Sequence, residues 1–349
     1  MKRVPYFWAI LALSIIVLIS SGALRMSDGN HTLAGEYSYK YLAPFQLSDF
    51  FSSALFVIPS HFGYYWMLVV IESLLLFILF YRLLTIHTAN VHYILASCLL
   101  FVLAPSSVYL SSVISPYLTS LLLILATLNI LNSRYYWFST VSLLGLALFD
   151  WLVFLVTLCV VIMYSLYHKL DYFRFAGYYA ILFGIVQLVF PRPFLLEIVP
   201  PHSITFQLFS DFGGTYGIGL FTALLALMGF IGSWTRKKQL APAYVCALII
   251  LGIAIFVTPE ALLFLAPLVV LFAAFGLQFL WERTWVFPIL RFLTLTAVLY
   301  GVLFSSLAYI NHVRSLPPDI AVFESMTWIK EHSLGVKNVL SHPQKGFWI

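Results

Sequence analysis

Apolar residues run along this chain in long blocks, broken at intervals by short polar clusters, instead of recurring at one face of a helix or alternating as in a half-buried strand. Blocks of this length and polarity predict helices that cross a bilayer, because an apolar core about 30 Å thick needs roughly 20 helical residues. Crossings are expected at 4–24, 62–84, 92–104, 116–132, 176–190, 216–234, 243–257, 261–281 and 287–310. The block 138–167 is too long for one ordinary crossing and is expected to form two short helices broken around 148–151, near Asp150. The fold class is therefore an all-α polytopic membrane protein of about eleven transmembrane helices.

Composition agrees with the pattern. Of the 349 residues 62% are hydrophobic, mean hydropathy is +0.99 and only 9% are charged. A water-soluble domain of this size could not hide that much apolar surface. Tyr6, Trp8, Tyr64, Trp66, Tyr135, Trp137, Trp281 and Trp285 stand at block ends, where an interfacial aromatic belt would put them. Net charge is +5, but the basic residues are spread thinly between blocks and mark topology, not a nucleic-acid surface. Lys2 and Arg3 ahead of the first block place the N-terminus in the cytoplasm. Splitting 138–167 keeps Lys169, Arg174, Arg236, Lys237 and Lys238 on that side as well, and leaves the C-terminus external. Cys98, Cys159 and Cys246 each fall in a different block and read as small buried hydrophobes; their spacing indicates neither a disulfide framework nor a zinc site.

Candidate chemistry concentrates in the external interval 25–49, where Arg25, Asp28, His31, Glu36, Lys40 and Asp49 alternate with Tyr37, Tyr39 and Tyr41. An external carboxylate close to a crossing can deprotonate an acceptor hydroxyl or bind a divalent cation such as Mg or Mn, and Glu36 is the leading candidate for both roles. Asp28, in Ser-Asp-Gly-Asn, has turn chemistry but could add a second metal ligand. Tyr37 and Tyr39 offer stacking faces for sugar rings. Charges in a solvated loop also serve solubility alone. In a second external interval, 191–214, Arg192 lies between two prolines and suits a phosphate held by paired hydrogen bonds, with His202 as a further donor. The alternative for Arg192 is snorkelling to headgroups or pairing with Glu197. Glu72 and Asp150 lie within apolar blocks, where a carboxylate is costly and invites a transport reading.

Three stretches resemble the GT-C superfamily, polytopic glycosyltransferases that use polyisoprenyl-phosphate sugar donors, and archaeal members most. Gly35-Glu36-Tyr37-Ser38-Tyr39 resembles the acidic-aromatic signature of their first external loop. Ser210-Asp211-Phe212-Gly213-Gly214 resembles the approach to a later crossing. Trp328-Ile329-Lys330-Glu331-His332, with Val339-Leu340-Ser341 and Gly346-Phe347-Trp348-Ile349, resembles the junction where oligosaccharyltransferase catalytic subunits begin their external domain. At that junction the family's Trp-Trp-Asp-Tyr-Gly is replaced by His342-Pro343-Gln344-Lys345-Gly346, and the stretch 105–115 has no carboxylate where a second acidic motif stands in those enzymes. The resemblance implies sugar transfer on the external face from a polyprenyl-phosphate donor. Glu36 would act as base or metal ligand, and Arg192 would hold the lipid phosphate. It implies a protein or glycan acceptor and leaves metal dependence open.

The transmembrane domain is expected over 1–310. In 311–349, an amphipathic helix at 320–332 and a short strand at 336–340 are expected to open a small external α/β domain that is cut short. The rival functions are a transporter or lipid flippase using Glu72 and Asp150, or a non-catalytic membrane scaffold.

Overall fold

The computed structural model describes residues 65–112, 116–133, 136–149, 151–167, 173–189, 208–214, 216–233 and 237–314. Eleven α-helices lie within them: α1 (Tyr65–His87), α2 (Val91–Leu103), α3 (Pro105–Ser112), α4 (Pro116–Leu131), α5 (Ser139–Ala147), α6 (Trp151–Tyr167), α7 (Phe173–Val189), α8 (Leu220–Gly232), α9 (Lys237–Phe256), α10 (Ala261–Glu282) and α11 (Pro288–Arg314). No strand forms among the described residues; Phe209 and Ile218 make one isolated parallel bridge. The protein is thus a helical bundle with the apolar character of a multi-pass membrane protein. The first block, the interval 25–49 and the tail 315–349 lie outside the described residues, and with them the expected first crossing and the α/β start.

Most expected helices form close to their expected limits. The block 138–167 does divide, with α5 ending at Ala147 and α6 beginning at Trp151. A full-length crossing is met by fewer helices than expected. Three described helices are long and apolar enough: residues 69–87 of α1, all of α10, and residues 288–312 of α11. Taking α2 and α3 as one crossing bent by 61° makes four. The other apolar helices run 10–17 residues.

The stretch 105–112, expected to be an external connection, is instead the helix α3. Pro105 explains its start: proline cannot donate to the preceding turn but is preorganised for the first turn of a new helix. Ala104 is extended (φ −66°, ψ 131°), so the chain turns there and restarts. The start of α8 is also corrected, from Tyr216 to Leu220, because Gly219 is extended (φ −62°, ψ 136°) and the Leu220 N–H is capped by Asp211.

Helix directions follow from contacts across the bundle. Glu72 meets Thr119 and Leu79 meets Asn129, so α1 and α4 run parallel. Leu225 and Gly229 lie against Gly276 and Phe272, and Gly232 against Phe279, so α8 and α10 also run parallel. Gly219 lies against Ser305 and Gly301 against Phe221, which sets α11 antiparallel to α8.

The α8–α10 seam is the tightest crossing. A Cβ on Gly229 would fall 1.8 Å from the Phe272 carbonyl oxygen, and one on Gly276 would fall 2.1 Å from that of Leu225. Apolar burial drives no helix association in lipid, so close backbone packing and interhelical hydrogen bonds take its place. The bonds are present. Asn129 Nδ2 donates to the Leu79 carbonyl at 3.0 Å. Thr127 and Ser142 share a hydroxyl pair at 2.8 Å, and Tyr93 donates to the Leu271 carbonyl at 3.2 Å. Ser233 and Tyr244 pair at 2.6 Å.

Candidate functional site

The two ends of the bundle differ in chemistry. One end gathers the start of α1, all of α3, the starts of α4, α8 and α10, and the close of α11. Asp211 and Glu260 sit there, with Glu72 about two turns inward. Arg82, Arg174, Arg283 and Arg291 occupy the opposite end, with Glu282, whose carboxylate accepts from Gln278 at 2.6 Å. The ends are therefore called acidic and basic. At the basic end Arg174 lies over the rings of Trp137, Phe175 and Tyr136, at 5.2, 5.6 and 5.7 Å. Arg291 lies over Trp281 at 4.6 Å, and Trp281 is 61% exposed. Arginine over partly exposed tryptophan is the arrangement expected at headgroup level. Trp137 and Trp281, expected in an interfacial belt, are both found there.

The acidic end holds an aromatic cluster that sequence alone did not single out. Tyr109 on α3 packs edge-on against Tyr216, ring centroids 5.2 Å apart, and Tyr117 packs edge-on against Phe264 at 5.9 Å. Tyr216 precedes α8 in the chain. Burial first, and then the neighbouring Tyr109, Glu260 and Tyr117, push its phenol well above the usual range, so it stays neutral. Glu260 stands in the tight Thr258-Pro259-Glu260 turn ahead of α10. The sequence signal for this cluster was weak: Tyr109 and Tyr117 are two of 21 tyrosines, and only the bend at Ala104–Pro105 brings α3 back over the end of the bundle.

The motif Ser210-Asp211-Phe212-Gly213-Gly214 is local architecture here. Ser210–Phe212 form one 3-10 turn, and Gly213 closes it at φ +95°, a conformation that strains any residue with a Cβ. The chain then folds back so that Asp211 Oδ2 accepts from the Leu220 N–H at 2.5 Å. Asp211 thereby satisfies one of the open donors at the start of α8 and places a negative charge at its positive pole.

Glu72 lies nearer the acidic end of α1 than its middle. It lies seven residues into α1, about 10 Å from the acidic end at 1.5 Å per residue. Thr119, in the first turn of α4, donates to its carboxylate at 3.1 Å. Ser73, next to it, is buried.

Glu36, Asp28, Tyr37, Tyr39, Arg192 and His202 all lie outside the described residues, as does Asp150. Among the described residues no group of three or more His, Cys, Asp or Glu side chains is placed to hold a metal ion. All three cysteines are buried free thiols, and Cys159 and Cys246, from blocks far apart in sequence, meet with Sγ atoms 3.8 Å apart.

Comparison with known proteins gives no match to a family model, to a curated protein or to a solved structure.

Proposed function

We propose that this chain is a membrane glycosyltransferase that moves a sugar from a polyprenyl-phosphate donor to a hydroxyl-bearing acceptor at the acidic end, which we take as the external face. One observation carries the reading. α1 begins, α7 ends, residue 208 re-enters and α11 ends at that same end, so the intervals ending at 64, spanning 190–207 and starting at 315 all join the bundle there. Two of these intervals carry the candidate residues Asp28, Glu36, Tyr37, Tyr39, Arg192 and His202, and they connect to the bundle at its aromatic and acidic end. Four of the five described arginines stand at the opposite end, Arg314 at the close of α11 being the fifth, and this bias supports a cytoplasmic assignment for that side.

In the proposed reaction Glu36 takes the proton from the acceptor hydroxyl. The acceptor oxygen bonds to carbon 1 of the sugar, and the bond from carbon 1 to the lipid phosphate breaks. Arg192, with His202, binds the phosphate as its charge grows, and Tyr37 and Tyr39 stack on the sugar. A divalent cation held by Glu36 and Asp28 would serve the same phosphate.

Glu36→Gln keeps size and hydrogen bonding but cannot accept the proton. It is expected to abolish transfer from a polyprenyl-phosphate sugar while insertion and abundance stay at wild-type levels. Full activity in that variant would remove Glu36 from the reaction. Failure of the wild-type protein to bind any polyprenyl-phosphate sugar would favour a scaffold, or a transporter working through Glu72. The contact between Glu72 and Thr119 is the observation that keeps transport as the second reading.

A further inference from the structure

We propose that Cys159 and Cys246 form an oxidation site, a dithiol that closes to a disulfide and joins α6 to α9. Their Sγ atoms are 3.8 Å apart and both side chains are buried in the seam where the two helices pack. A disulfide needs about 2 Å between sulfurs. Each sulfur swings on a radius of about 1.7 Å about χ1, so rotations of roughly 30° toward one another move the two sulfurs together by about the distance required. The two cysteines are 87 residues apart in the chain, so their meeting comes from tertiary packing alone.

Closure would act on a helix that carries its own bend point. Pro242 lies inside α9, one turn before Cys246. Proline has no N–H to give the carbonyl four residues back, which weakens the helix at that turn. A covalent tie at Cys246 fixes the segment beyond the proline to α6. Cys98, on α2, gives an internal control.

The chemistry balances with one partner. Two thiols release two protons and two electrons as the S–S bond forms, and a lipid-soluble two-electron oxidant, of the quinone or disulfide class, takes up both. Iodine is a suitable probe: it is small, enters bilayers, and takes up the two electrons to become two iodide ions while the thiols release the two protons.

The test uses the full chain in lipid nanodiscs. Iodine treatment is followed by unfolding in detergent and labelling of remaining thiols with a polymer-tagged maleimide, read as gel shifts. Untreated protein is expected to take three labels and oxidised protein one, with dithiothreitol restoring three. Cys159→Ser and Cys246→Ser are each expected to keep two labels with or without iodine. The oxidised wild type, and neither serine variant, is expected to melt several degrees higher after treatment. Three labels in the folded, iodine-treated wild type, alongside cross-linking of the same protein once unfolded, would overturn the proposal. So would loss of two labels in Cys246→Ser, which would pair Cys159 with Cys98.

Discussion

Replacing Gly229 or Gly276 with alanine tests the packing of the bundle at its tightest point. The new methyl group on residue 229 would sit 1.8 Å from the Phe272 carbonyl oxygen and 2.6 Å from the Gly276 nitrogen. Ordinary contact between such atoms begins near 3.5 Å, so α8 and α10 must separate by about 1.5 Å or more at the crossing. Both obstructing atoms are backbone, and no side chain can rotate away to make room. Overpacking of a well-filled site costs roughly 1–3 kcal/mol, and a rigid obstruction puts this one at about 3 kcal/mol. Dispersion contacts along the whole seam weaken as the helices part, so alanine at residue 276, with its Cβ 2.1 Å from the Leu225 carbonyl oxygen, should cost about as much. Gly184 on α7 and Gly252 on α9 are the matched controls, since a Cβ there meets nothing within 4 Å. Alanine at those positions should be neutral or up to about 1 kcal/mol stabilising through helix propensity. Reversible unfolding in mixed micelles, followed by tryptophan fluorescence, gives all four values. Equal effects at the seam and control glycines would refute the close crossing. The double variant Gly229→Ala/Gly276→Ala should cost less than the sum of the single ones, because one separation of the helices relieves both contacts.

Removing the cap on α8 with Asp211→Ala should cost about 1 kcal/mol in the same unfolding assay, and Asp211→Asn should recover most of it, because an amide oxygen still accepts from the Leu220 N–H. If the alanine and asparagine variants lose equally, the charge at the helix pole matters more than the hydrogen bond. Tyr244→Phe leaves the buried Ser233 hydroxyl without its 2.6 Å partner and should destabilise by about 1 kcal/mol. An unchanged midpoint would mean that the serine is satisfied by the Phe230 carbonyl. Glu72→Gln preserves the acceptor for Thr119 and should leave glycosyl transfer intact. Loss of a proton-coupled flux in that variant, with transfer undetectable in the wild type, would select the transport reading instead.

Sequence alone determined that the chain is a helical membrane protein, because bilayer thickness converts apolar run length directly into a helix, with little need of tertiary context. It located the break between α5 and α6, since the alternation of basic clusters allows only an even number of crossings there. Long-range placement was beyond it. α3 looked like a connection because eight residues are too few to register as a crossing, and only packing against α10, α11 and α1 makes it a helix folded over the end of the bundle. Asp211 looked like part of a family signature until the left-handed Gly213 turned its carboxylate onto α8. Tyr109, Tyr117 and Tyr216 are individually unremarkable tyrosines. Cys159 and Cys246 looked isolated because nothing in an apolar run encodes which face meets which neighbour. Lipid accepts apolar side chains on every side of a helix, so the outward-facing residues carry no amphipathic signature. The faces were set by the glycines and hydroxyls that let backbones approach and pair, and those interactions exist only once the helices are packed.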